Sequence, residues 1–437
     1  MQRKPLFEKH LKERMAVLET ALSNFELEGL VLSAGLDRYY YQDDQDIPFR
    51  PSHHFTHYCP AEGKGHAVIL MPGKKPLLFH YCPDDFWYDH LALEPDYWTD
   101  SFEVRAFTSQ EKLWQALLGF KHCAYLGPDE KTAQEQGFEP APKALEHHLN
   151  WFRAYKSEYE VYCLDKATEI AARGHRAART CFLEGGSELD IHLAYLSAIR
   201  MTGVELPYTD IIGLNEKSAI LHYAEKRDDV HNGKVMLIDS GARYCGYGSD
   251  ITRTHTSAKA PEVFSSMLTA MNREQLLLCE AIKPGLNFGD LVHASHLAVA
   301  RVLLEHDVLS GLDAETAVEK GLSAVFYPHG LSHMLGILVH DIGSKQIDIN
   351  GACWEKDKKD PTRTRMRTIE PGFVFTIEPG LYFIRMLLEP QREAESSRHF
   401  NWPLIDRMLP LGGIRVEDNI HVSDHGVRNL TRPHLPD

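Results

Sequence analysis

The sequence predicts a mixed α/β (α+β) chain of two domains, and three observations carry that prediction. Short apolar runs of strand character alternate with stretches of helical period along the whole chain. The text changes character at EPAPKALEHHLNWFRAYKSEYE (139–160), where an Ala-Pro-rich segment leads into a polar one. The 437 residues, 43% hydrophobic and 25% charged, have ordinary globular composition and enough length for two or three domains. The boundary falls near 150–156, giving an N-terminal α/β domain at 1–156 and a larger domain at 157–437.

The elements follow in order. Leu11, Met15, Leu18, Leu22 and Phe25 recur every three or four residues and predict a helix over 7–25. GLVLSAG (29–35) reads as a buried strand and a turn. AVILMPGKKPLLFH (67–80) reads as two strands joined by a Pro-Gly turn, and His122 to Leu126 as a further strand. Ser157-x-x-Glu160 fits a capping box that opens a long helix running to about Cys181. Further helices are predicted at 187–202, 261–282, 288–305 and 313–325. The remainder alternates β-rich runs with Gly and Pro, and the charged stretch Glu355 to Arg367 reads as a solvated loop.

Bulk properties exclude several function classes. Lys plus Arg number 47 against 62 Asp plus Glu, a formal net charge of -15, which disfavours a phosphate backbone as partner. The eight cysteines (59, 82, 123, 163, 181, 245, 279, 353) form no Cys-x-x-Cys pair, so neither a disulfide framework nor a zinc knuckle is indicated. MQRKPLFEKHLKERMAVLET lacks the apolar core of a signal peptide, and no apolar run is long enough to span a bilayer. A cytoplasmic protein that binds neither membrane nor nucleic acid is the expectation.

Four segments carry candidate chemistry. In LIDSGARYCGYGSDITRT (237–254), Asp239 ends a strand-like run and Asp250 begins the next, so a hairpin bent near 244–248 brings the two carboxylates onto one face. Such a pair repels unless a cation lies between; alternatively, Asp239 begins a turn and Asp250 caps a bend. YPHGLSHMLGILVHD (327–341) holds His329, His333 and His340 among glycines, which argues for a loop or bent strand rather than a helix face. In FVFTIEPGLYF (373–383), Glu378 follows a buried-looking strand, an awkward place for an unpaired charge. In GGIRVEDNIHV (412–422), Arg415 and Glu417 alternate with apolar residues and share a strand face, as a surface pair or as a ligand and its neighbour. Four carboxylates and one imidazole suit hard or borderline divalent ions such as Mn²⁺, in number sufficient for two metals.

Together these segments resemble the signature of the metallopeptidase family with the "pita-bread" fold, which contains methionine aminopeptidase, aminopeptidase P and prolidase. The match covers roughly 157–437. The resemblance implies metal ligands Asp239, Asp250, His333, Glu378 and Glu417, with Asp250 and Glu417 bridging two divalent ions, Mn²⁺ first and Co²⁺ or Zn²⁺ as alternatives. It assigns the ligand role to His333 rather than His329, and it places His222, His340 and His329 in the active site. Glu378 acts as proton shuttle by the same resemblance. Arg415 matches an Arg of the proline-specific members, with Tyr208 (in ELPYTDII) beside it; whether Arg415 holds substrate or orients Glu417 stays open. The leading domain of about 150 residues and the details YPHGLSHMLGILVHD, TIEPGLYF and GGIRVEDN are most similar to the prolidases, the Xaa-Pro dipeptidases. That subgroup includes enzymes that hydrolyse organophosphates as a side reaction. The implied activity is metal-dependent cleavage of Xaa-Pro dipeptides by a homo-oligomer, in which the N-terminal domain of a second subunit closes the pocket and Asp44 (in YQDDQD) makes the contact. The alternatives are an aminopeptidase P acting on longer X-Pro peptides and a non-catalytic binding module of the same fold.

Overall fold

The computed structural model describes residues 3–87, 93–344, 346–354 and 366–436. The chain forms two compact units, Met1–Glu160 with Ile347–Ala352, and Val161–Gln346 with Cys353–Asp437.

The first unit opens with helix α1 (Arg3–Asn24), whose Phe7, Leu11, Leu18 and Leu22 are buried, as the helical period requires. Five strands follow: β1 (Leu30–Ser33), β2 (Ala67–Leu70), β3 (Leu77–Tyr81), β4 (Glu103–Phe107) and β5 (Ala124–Leu126). They form one mixed sheet in the order β4-β3-β2-β1-β5. β1 runs parallel to β5 and β3 parallel to β4, while β2 lies antiparallel between β1 and β3. Helices α2 (His53–Tyr58), α3 (Gln110–Leu117), α4 (Glu130–Glu135) and α5 (Lys143–Phe152) complete the unit. Val31, Ile69, Phe79, Leu113, Tyr125 and Phe138 share its core. Two details depart from the sequence reading. β4 has no alternating apolar face, because most of its residues are exposed at the sheet edge. The segment 143–152, read only as part of an Ala-Pro-rich stretch leading into a polar one, is helical because Leu145, His148 and Leu149 lie three and four residues apart on a buried face.

Helix α6 (Glu158–Leu183) starts at the expected capping box: Glu160 N donates to Ser157 Oγ (3.3 Å) and Ser157 N to Glu160 Oε2 (2.9 Å). Helix α7 (Glu188–Ile199) has its own box between Ser187 and Asp190. Strands β6 (Ile211–Leu214), β7 (Val235–Asp239) and β10 (Thr252–Thr256) make an antiparallel sheet in the order β10-β7-β6, with the small hairpin β8 (Arg243–Tyr244) and β9 (Tyr247–Gly248) between β7 and β10. Helices α8 (Glu262–Glu280) and α9 (Phe288–Glu305) follow, then α10 (Ala314–Glu319) and α11 (Leu322–Phe326). The single helix expected over 313–325 is two helices, because Gly321 takes a left-handed φ of 71° and ends the first. The chain finishes with β11 (Val374–Ile377), β12 (Gly380–Tyr382), α12 (Arg385–Leu388), α13 (Trp402–Met408), β13 (Gly413–Arg415), β14 (Asp418–Ser423) and β15 (Gly426–Asn429). β11, β14 and β15 form one antiparallel sheet and β12 pairs with β13. Phe264, Met271, Val299, Leu303, Phe326, Leu381, Ile405 and Val416 belong to one core cluster, which joins these helices and strands. Most of the stretch read as a solvated loop, 355–365, lies outside the described residues. Its last residue, Arg367, is buried and stacks over the Phe373 ring at 5.2 Å.

Candidate metal and active site

Strand register brings the two aspartates together. Asp239, the last residue of β7, stands opposite Thr252 on β10 and opposite Ile211 on β6. The chain then bends through Ser240 and Gly241 and returns, with Ser249 N donating to Ala242 O (3.0 Å) and Ser240 N to Ile251 O (3.0 Å). Only glycine fits at 241, since a Cβ there would run into the Ser249 carbonyl oxygen. The bend is fastened from outside by His175 Nε2–H on Ser240 O (2.9 Å) and Tyr195 O–H on Gly241 O (3.1 Å). The hairpin therefore sets Asp250 beside Asp239, and the Tyr208 hydroxyl sits between them, 2.7 Å from Asp239 Oδ1 and 2.5 Å from Asp250 Oδ1.

Glu378 and Glu417 arrive from the other sheets. Glu378 follows β11, and its Oε1 accepts from the Thr376 hydroxyl (3.2 Å). Glu417 lies in the break between β13 and β14, so the strand read in 412–422 is interrupted there. The shared face survives the break. Thr252 on β10 accepts from Arg415 Nε (3.1 Å) and donates to Glu417 Oε2 (2.7 Å). His333 sits in a loop, as its glycine-rich surroundings imply, with Nε2 3.3 Å from Asp250 Oδ2 and 3.6 Å from Glu378 Oε1. Its Nδ1–H donates to Met334 O (3.1 Å), the tautomer that turns Nε2 toward the acids.

The ligand atoms of Asp239, Asp250 and Glu417 lie within 4.8 Å of one another, as do those of His333, Glu378 and Glu417, and those of Asp250, His333 and His340. The electrostatics of this cluster fit divalent cations. Glu417 is 2% exposed, and its carboxyl is held far above the usual range by burial and then by the charges of Asp250, Glu378 and Asp239. Burial lifts Asp239 to about 6 against the pull of Arg415, and lifts Glu378 to about 7 against the pull of His333. Burial works against a charge on His333, yet the hydrogen bond and charges of Asp250 and Glu378 raise it to about 9. With only protons to compensate it, the cluster thus gathers protons on Glu417, Glu378, Asp239 and the His333 imidazole, while burial is outweighed at Asp250 by its bonds to His333 and Tyr208, which hold that carboxyl below the usual range; multivalent cations would replace this distribution.

Arg415 is 4% exposed and its donors are committed inside the protein: Nη2 to Asp239 Oδ2 (2.5 Å), Nη1 to the Tyr382 hydroxyl (2.8 Å), and Nε to Thr252. It therefore orients Asp239 directly and Glu417 through Thr252. The Tyr382 hydroxyl in turn bonds His329 Nε2 (2.8 Å), whose Nδ1–H donates to Gly330 O (2.9 Å). Burial and the Arg415 charge push His329 down to about 3, so it is a neutral acceptor. Thr252 and Tyr382 were not singled out in the sequence; Tyr382 reads there as one more aromatic of a buried strand.

A cavity of about 430 Å³ opens over the cluster, lined by Tyr208, His222, Asp239, Asp250 and His340 with Ile211, Tyr223, Ala224 and Val339 among its walls. His222 and His340 are both exposed there, and the His340 ring centroid lies 4.1 Å from that of His333. Asp44 is exposed at a bend in the first unit. A second cavity, of about 390 Å³ in the first unit, is lined by Arg38, Arg50, His53 and Lys143 among others and contains none of the predicted site residues.

Comparison with known proteins agrees with this picture. Residues 162–424 match the family model described as metallopeptidase family M24, and residues 5–151 match that described as the Xaa-Pro dipeptidase N-terminal domain. The chain is 35% identical over 433 residues to the Xaa-Pro dipeptidases of Shigella flexneri and of Escherichia fergusonii, covering 98% of this chain and 98% of each relative. Among solved structures it resembles the aminopeptidase PepP of Pseudomonas aeruginosa, with a TM-score of 0.73 at 22% identity over 98% of this chain and 96% of that one, a likeness of fold. With a match across the whole catalytic unit and relatives of this identity along nearly its full length, the chain belongs to metallopeptidase family M24.

Proposed function

We propose that this chain is an Xaa-Pro dipeptidase whose site holds two divalent cations, Mn²⁺ in the first instance, between Asp239, Asp250, His333, Glu378 and Glu417. The observation that carries the reading is the largely buried cluster of four carboxylates and one imidazole, with His340 beside it, beneath a cavity of about 430 Å³. Of its three ligand groups, two share Glu417, two share Asp250 and two share His333, so the groups overlap as one cluster large enough for a pair of ions. The matched N-terminal family and the relatives at 35% identity favour the dipeptidase over an aminopeptidase P.

Divalent ions at such a site supply Lewis-acid polarisation of a carbonyl and acidify water at neutral pH. The chain's own residues do the rest. Glu378, with Oε1 steadied by Thr376, takes a proton from the attacking water and delivers it to the prolyl nitrogen as the peptide bond breaks. That nitrogen is tertiary and offers no N–H before cleavage, so recognition rests on the carbonyl and the ring. His222 and His340, exposed on the cavity wall, donate to the developing oxyanion and the substrate. Arg415, Tyr382 and Thr252 hold Asp239 and Glu417 in place. The same site would cleave P–F or P–O bonds of organophosphates as a side activity.

We place the protein in a reducing compartment, the cytoplasm, because its eight scattered cysteines form no Cys-x-x-Cys pair and suggest no disulfide framework. Among the described residues, no helix is long and apolar enough to cross a membrane. The reading includes a homodimer with Asp44 at a contact that closes the pocket. Asp44 follows Tyr39, Tyr40 and Tyr41, which are 56%, 49% and 90% exposed, an aromatic surface suited to a partner. Asp250→Ala and Glu417→Ala test the proposal: metal content and activity fall together. An Asp250→Ala protein that stays metal-loaded and active would overturn the ligand assignment.

A further inference from the structure

Glu188 opens α7 and is 0% exposed, yet it is not the cap of that helix; Ser187 and Asp190 serve that purpose. Its carboxylate is spent elsewhere. Oε1 accepts from Leu214 N (2.8 Å) and Arg227 Nη2 (2.7 Å). Oε2 accepts from Arg227 N (2.9 Å), Arg227 Nε (3.1 Å) and the Tyr223 hydroxyl (2.9 Å). Arg227 Nη2 also donates to Leu214 O (2.9 Å). Leu214 is the last residue of β6, so one carboxylate closes the segment 214–227 at both ends and pulls down its middle through Tyr223. That segment supplies His222, Tyr223 and Ala224 to the cavity wall. The His222 ring is exposed and makes no hydrogen bond among the described residues, so its place is set by the backbone that carries it.

We propose that Glu188 is a positioning residue for substrate: by clamping 214–227 through Leu214, Tyr223 and Arg227, it fixes His222 against the cavity. The inference rests on the reading of that cavity as the substrate site. A charge-assisted bidentate pair with two backbone N–H donors gives the clamp a defined geometry, and the metal-ligating acids lie on other elements.

The test uses Glu188→Gln and Tyr223→Phe in the full-length, Mn²⁺-loaded protein, each alone and combined with His222→Ala. Each single variant is expected to lower kcat/KM for an Xaa-Pro dipeptide by roughly tenfold, the effect of one hydrogen bond to a charged group, at unchanged metal content. In the His222→Ala background the same changes should cost less than about twofold, because they act through the residue already removed. Hydrogen exchange should accelerate at 215–226 and not at 235–239. Full additivity with His222→Ala, or unchanged exchange at 215–226, would overturn the proposal. If Glu188→Gln fails to fold, Tyr223→Phe supplies both readouts. If the wild-type chain cleaves no Xaa-Pro dipeptide, the functional reading falls, and exchange at 215–226 still decides the clamp.

Discussion

Replacing Glu417 by Gln should stabilise the metal-free protein and abolish its stabilisation by metal. Glu417 is 2% exposed, accepts one hydrogen bond from Thr252, and stands with ligand atoms within 4.8 Å of those of Asp239 and Asp250. At an effective dielectric near 20, one pair of like charges about 4.8 Å apart repels by roughly 3.5 kcal/mol. The carboxyl avoids that repulsion by keeping its proton, since burial and its neighbours hold its pKa well above the ordinary value. The unfolded chain gives up this proton near pH 4.3, so above that pH the folded state binds more protons and stability falls as pH rises. At pH 7.5 the cost is capped at about 4.4 kcal/mol, 1.36 kcal/mol for each unit between the two. Gln keeps the shape and removes the cost, so the variant should gain about 2–4 kcal/mol in chelator at pH 7.5, within that ceiling. With Mn²⁺ at a thousandfold excess over Kd the wild type should gain about 4 kcal/mol, and the variant far less. Denaturant unfolding at pH 7.5, with chelator and with Mn²⁺, reads both signs. A variant less stable than wild type in chelator, or equally stabilised by Mn²⁺, would refute the electrostatic account of the cluster.

Other perturbations act on different parts of the site. Glu378→Gln should lower kcat by at least about 10²-fold, the worth of a general acid–base group, with little change in unfolding midpoint; unchanged turnover at full metal occupancy would exclude the proton shuttle. Arg415→Met removes three buried donors and strands Asp239, so it should destabilise by about 3–5 kcal/mol; a denaturation loss below about 1 kcal/mol would mean the contacts seen here contribute little. Burial pushes His57 down to about 3 and His175 to about 4. Below about pH 6.5 the unfolded chain protonates both while the folded chain does not, so acidification destabilises the fold by about 1.4 kcal/mol per unit for each. Because the raised carboxyls of Glu417, Glu378 and Asp239 act with the opposite sign in this range, the readout is the difference between wild type and a His57→Gln/His175→Gln variant; a stability difference flat from pH 7 to 5 would contradict that.

Much of the site was legible because each acid interrupts a strand-like run. Asp239 ends VMLID, Glu378 ends VFTI and Glu417 breaks GIRVEDN, and a charge in such a place needs a partner. The hairpin read near 244–248, found as β8 and β9, made the Asp239–Asp250 approach readable as well. What the sequence hid are residues whose meaning comes from distant elements. Thr252 acquires a role only when β10 lies beside Glu417, and Tyr382 only when Arg415 and His329 meet over its hydroxyl. Glu188 reads as an ordinary acid in the first turn of a helix until Leu214, Tyr223 and Arg227 converge on it. In the fold, long periodic helices were plain, whereas α5 hid in a polar segment and β4 at an exposed edge, where burial leaves no pattern.

The central claim is metal-dependent cleavage of Xaa-Pro dipeptides, and proline release measures it most directly. The full-length protein would be given an Xaa-Pro dipeptide and an Xaa-Pro-Yaa tripeptide, each with Mn²⁺ and with chelator. The account predicts free proline from the dipeptide, none from the tripeptide, and loss of activity on chelation. Removal of Xaa from the tripeptide would make the chain an aminopeptidase P, and inertness toward both peptides with metal bound would contradict the account.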